Sequence, residues 1–104
     1  MAYTPTQLSL RTLRANGYIA EVVEKWIPGA NIRKDLFGFI DIVALRDGET
    51  LAIQTTSKSN ISSRVRKIED SPYLNQLRKA NWTILVHGWY KADNRWICAV
   101  KNVS

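Results

Sequence analysis

The chain's 104 residues suffice for one domain, expected to span 1–104, and leave no room for a second; at 45% hydrophobic and 23% charged, it has apolar surface enough to exclude a disordered chain. A lone cysteine, Cys98, excludes an internal disulfide and fits a reducing, cytoplasmic setting, while the polar stretch Met1 to Gln7 and the lack of any run of roughly 18 apolar residues argue against a secretory signal and a membrane partner. Fifteen Lys and Arg against nine Asp and Glu leave a charge of +6 and a pI near 9.8, which makes a phosphate backbone the favoured partner.

The chain has no internal repeat and no linker-like tract, so every segment is assigned to one fold. Thr6 to Asn16 carries Leu8, Leu10 and Leu13 at helical spacing and stops at Asn16-Gly17, which predicts a first helix. Tyr18 to Trp26, rich in β-branched residues and closed by Pro28-Gly29, predicts a strand. Gly38 to Leu45 reads as a second strand, apolar except for Asp41. Asp47-Gly48 then predicts a type I′ hairpin turn, because both residue types tolerate positive φ, and Thr50 to Thr56 is the return strand.

Asn60 to Ile68 places Ile61, Val65 and Ile68 on one helical face, with Arg64, Arg66 and Lys67 largely on the other. Ser71-Pro72 predicts the start of a further helix with Leu74 and Leu77 inward. Trp82 to Gly88 and Arg95 to Val100 read as two more strands turned by Asp93-Asn94. The fold class expected is α/β: a three-strand meander, a helical crossover and further strands forming a mixed sheet flanked by helices.

A two-residue turn at Asp47-Gly48 makes Arg46 face Glu49, which carries Asp41 opposite Gln54 and Phe39 opposite Thr56. Period-2 alternation places Asp41, Gln54 and Thr56 on one face, so three oxygen-bearing side chains converge at the open end of a hairpin. The unremarkable alternative for Asp41 is a buried acid satisfied by backbone and Gln54 amide hydrogen bonds.

The segments Phe39-Ile-Asp-Ile-Val-Ala-Leu and Leu51-Ala-Ile-Gln-Thr-Thr-Ser, with twelve residues between Asp41 and Gln54, resemble the hairpin of the PD-(D/E)XK (restriction-endonuclease-like) nuclease superfamily, closest in plan to the archaeal Holliday-junction resolvases. The resemblance covers about residues 6 to 87. It implies a restriction-endonuclease-like core and a DNA endonuclease in which acids bind Mg²⁺ or Mn²⁺ and a lysine positions or deprotonates the attacking water. Asp41 matches the family's aspartate, whereas Gln54 and Thr56 stand where Glu and Lys are expected. The acid that many resolvases carry on the first helix falls near Thr6 or Gln7, both uncharged.

On this reading the metal ligands are Asp41, Gln54 through its carbonyl, and a second acid assigned to Glu21, with Glu24 and Asp35 as the other candidates. The catalytic set is Asp41, Gln54, Thr56 and Lys58, the last as a substitute ammonium. Arg33, Lys34, Lys58, Arg64, Arg66 and Lys67 form the phosphate-gripping set. The DNA partner is branched, single-stranded or duplex, and a homodimer is implied by analogy. His87 receives no role, and Trp89-Tyr90 offers either core packing or a stacking surface for an unpaired base. A different class of reading is a small basic protein-interaction module without nuclease activity.

Overall fold

The computed structural model describes residues 3–104; Met1 and Ala2, the start of the polar N-terminal stretch, lie outside them. Helix α1 (Pro5–Ala15) begins at a complete capping box: the Thr4 hydroxyl accepts from the Gln7 N–H and the Gln7 side chain accepts from the Thr4 N–H. Pro5 occupies the first helical position, where no N–H is needed.

The predicted strand Tyr18 to Trp26 is two strands. Strand β1 (Ile19–Val22) ends where the chain leaves the main sheet; β2 (Lys25–Ile27) then turns through Pro28–Asn31 and pairs with β3 (Ile32–Lys34) in a separate two-stranded sheet. The second predicted strand is also shorter than expected. Strand β4 (Ile42–Arg46) starts three residues after Phe39, because Phe37 and Gly38 adopt positive φ and fold Leu36–Ile40 into a tight turn. Phe39 and Ile40 are fully buried as a plug under the sheet, so the expected pairing of Phe39 with Thr56 does not form.

Asp47 and Gly48 both have positive φ, as a type I′ turn requires, and join β4 to β5 (Glu49–Ser57). A 3₁₀ turn (Lys58–Asn60) leads into α2 (Ile61–Glu69), followed by α3 (Leu74–Lys79), β6 (Thr83–Ala92) and β7 (Arg95–Asn102). Ser71 caps only a local turn, its hydroxyl accepting from the Tyr73 N–H, and α3 starts at Leu74.

The main sheet is mixed, in the order β1-β4-β5-β6-β7, with β5 and β6 parallel and the other pairs antiparallel. The helical crossover α2–α3 makes the parallel pairing possible. Alternation along the strands sorts the core into two layers. Ala20, Ile42, Ala44, Leu51 and Ile53 meet Leu13 of α1, and Ala52, Ile84 and Val86 meet Ile68, Leu74 and Leu77 of α2 and α3. Among the described residues no helix is long and apolar enough to cross a membrane.

Candidate functional site

The β4–β5 ladder runs from Arg46 opposite Glu49 to Ile42 opposite Ile53. One step beyond it, Asp41 and Gln54 are lateral neighbours, with Gln54 Nε2 donating to Asp41 Oδ2 at 2.8 Å. With the ladder ended, the same carboxylate oxygen accepts the Thr55 backbone N–H at 2.8 Å and the Thr55 hydroxyl at 3.2 Å. All three donors meet at Oδ2, and Oδ1 accepts none of them.

Two further acids reach Asp41 by way of the β2–β3 excursion. Glu24 immediately precedes β2 and Asp35 immediately follows β3, so the pairing of those strands draws both carboxylates to the base of the hairpin. One oxygen from each of Glu24, Asp35 and Asp41 lies within 4.8 Å of the others. Burial lifts the Asp41 carboxyl to about 7; the Thr55 N–H opposes that shift, while the charges of Asp35 and Glu24 add to it.

Gln54 is 3% exposed, and its Oε1 has no hydrogen-bond partner. A buried acceptor without a donor is costly, and here it belongs to the amide that touches the acid cluster. Three carboxylates form an all-oxygen donor set, which suits a hard cation such as Mg²⁺ or Mn²⁺, and Gln54 meets it through its N–H rather than its carbonyl.

Cations ring the acids. Lys67 of α2 places Nζ 3.6 Å from Asp35 Oδ2, and Arg33 of β3 places Nη1 3.2 Å from Glu24 Oε2. Lys25 and Lys34 stand directly opposite each other in the β2–β3 register and, with Asp35, line a concavity of about 260 Å³. Like charges facing across a strand pair are unfavourable unless an anion lies between them.

Several sequence-predicted residues fall elsewhere. Glu21 lies outside the acid cluster: its side chain is 77% exposed and pairs with Arg14 at 3.8 Å, because the chain folds back toward Asp41 only after β1 has ended. Thr56 is buried but makes no hydrogen bond to Asp41; that contact belongs to Thr55. The Lys58 ammonium lies 4.3 Å from the centre of the Tyr90 ring, held by cation–π attraction, and Lys67 is the ammonium brought to the cluster instead. Asn60 holds the N-cap position of α2, yet its side chain donates to the Ser57 hydroxyl and not to the helix. Arg33, Lys34 and Arg66 are exposed, while Arg64 is half-buried with Nε unpartnered. Cys98 is half-buried, and burial pushes its thiol up to about 11.

Sequence reasoning missed a second polar network. The Thr6 hydroxyl lies 2.8 Å from the Thr55 hydroxyl, so the first turn of α1 adjoins the site. Fully buried Ser9 lies 2.9 Å from His87 Nδ1 and accepts the Trp89 indole N–H at 2.7 Å. Burial alone lowers His87 to about 4, so the ring is neutral at physiological pH. The available signal was Ser9's place four residues before Leu13, on the inward stripe of α1.

No protein-family model, no curated protein and no solved structure matches this chain.

Proposed function

We propose that the protein is a DNA-binding, divalent-metal-dependent endonuclease built on a PD-(D/E)XK-like plan, with its remaining acids and its lysine relocated. The observation that carries the reading is the Glu24, Asp35 and Asp41 cluster, to which the buried Gln54 amide is hydrogen-bonded. Those three carboxylates, joined by Gln54 once its amide turns its carbonyl toward them, would hold Mg²⁺ or Mn²⁺, which when bound polarises a phosphodiester and acidifies its water. Lys67 would face the charge that builds on the phosphate, from a helix and not from the strand position occupied by Thr56. Lys25, Lys34 and Arg33 would seat the flanking phosphates, extended by Arg66 on α2 and by Lys58.

The test pairs metal uptake with cleavage. Titration calorimetry with Mn²⁺ is expected to give binding that Asp41→Ala weakens more than roughly tenfold. Branched, single-stranded and duplex DNA incubated with Mn²⁺ should show cleavage that the same variant abolishes. Metal uptake and steeply salt-dependent DNA affinity without cleavage would leave a binding derivative of the same plan. No affinity for DNA even at low salt, with a protein recovered on the same surface, would overturn the reading in favour of an interaction module.

A further inference from the structure

On the α1 side of the sheet, Tyr3, Leu8, Arg11, Thr12, Trp89 and Trp96 enclose a groove of about 430 Å³, within the size range of small-ligand sites. Trp89 is its buried floor, with its indole N–H committed to Ser9. Two large rings stand exposed on the rims: Tyr3 at 38% and Trp96 at 43%. Each ring already carries a cation, with the Arg11 guanidinium 4.7 Å from the Tyr3 ring centre and the Lys91 ammonium 5.7 Å from that of Trp96. Among the described residues neither Arg11 nor Lys91 forms an ion pair, and no carboxylate lines the groove.

We propose that this groove seats unpaired nucleobases of a single-stranded DNA segment, stacked against Trp96 and Tyr3 with the adjoining phosphates on Arg11 and Lys91. A nucleotide presents an aromatic face and an anion in every repeat, and each exposed ring of the groove has a cation beside it. A duplex hides its base faces within the stack and cannot use the rings. Helix α1 ties the groove to the acid cluster: Thr6 meets Thr55, the residue that holds Asp41, and Arg11 lies five residues along the same helix, a rise of about 7.5 Å along its axis. The inference rests on the nucleic-acid reading above and gives its substrate a single-stranded portion.

The experiment uses the whole protein with three probes: an oligothymidine, an abasic oligonucleotide with the same number of phosphates, and a short duplex. The oligothymidine is expected to bind roughly tenfold tighter than the abasic strand and to quench tryptophan emission. Trp96→Ala should reduce that difference and Tyr3→Ala with Trp96→Ala should erase it, while Trp96→Phe should keep most of it by keeping a ring. Equal affinity for the two strands, or a difference that survives the loss of both rings, overturns the groove alone if the duplex still binds in a salt-dependent manner. Failure of all three probes overturns both the groove and the functional reading beneath it.

Discussion

Asp41 owes its chemistry to where a strand stops. Had β4 continued through Phe39, the carboxylate would be one more side chain on a paired strand; because the ladder ends at Ile42, it reaches over to the Thr55 N–H and hydroxyl. Its proton affinity is therefore a balance of burial and two neighbouring charges against the Thr55 donors. Removing one contribution should move the balance in a known direction. In carboxyl-detected NMR titrations, Asp35→Asn should lower the Asp41 midpoint from about 7, since a like charge is lost, and Thr55→Val should raise it, since a bond to the ionised form is lost. Shifts in the opposite directions would remove the electrostatic account of the site.

At the scale of elements, two local constraints position the site. Gly88 on β6 lets the 3₁₀ turn and α2 lie directly on the sheet: a Cβ there would sit 2.4 and 2.5 Å from Cδ1 and Cγ1 of Ile61 and 3.0 Å from the Lys58 Cα. Gly88→Ala should cost about 1–3 kcal/mol in denaturant titrations, and less in an Ile61→Ala background, where the two closest atoms are gone. The second constraint is the β2–β3 hairpin, which holds Glu24 and Asp35 together at the expense of facing Lys25 against Lys34. Lys25→Glu replaces that repulsion with an attraction of about 0.2–1 kcal/mol. A small rise in melting temperature, together with weaker DNA binding, is expected; a fall in melting temperature would show that the lysines do not repel.

At the scale of the whole molecule, two buried titrating groups act on stability with opposite signs. The Asp41 proton affinity is raised on folding, so the folded state holds more protons than the unfolded one between the ordinary carboxylate range and about 7, and stability falls as pH rises through that window. The His87 proton affinity is lowered to about 4, so the unfolded state holds more protons between 4 and 6.5, and stability rises with pH there. A shift of that size corresponds to about 3 kcal/mol at most. The two slopes offset each other in the parent protein. Asp41→Asn should leave stability climbing with pH from 4 to 6.5, and His87→Gln should leave it falling from 4 to 7, both read from melting temperatures across pH without divalent metal. A flat profile in either variant would contradict the burial assigned to the other residue.

Local chemistry in the sequence settled the existence of helix α1 and its stop at Asn16–Gly17, the Asp47–Gly48 and Asp93–Asn94 turns and the β4–β5 register as far as Asp41, because positive-φ residues act over a few residues and a two-residue turn fixes the pairs next to it; the Thr4 cap emerged only in the structure. Asp41 and Gln54 could be paired from that register alone. Tertiary structure decided which acids join them. Glu21 and Glu24 are indistinguishable as letters on one apolar run, and only the departure of the chain from the sheet after Val22 turns Glu24 toward Asp41 and leaves Glu21 in solvent. Lys67, Ser9 and Trp89 likewise acquired partners through packing between elements distant in sequence. Side-chain convergence of that kind depends on how helices seat on the sheet, and no short-range pattern encodes it.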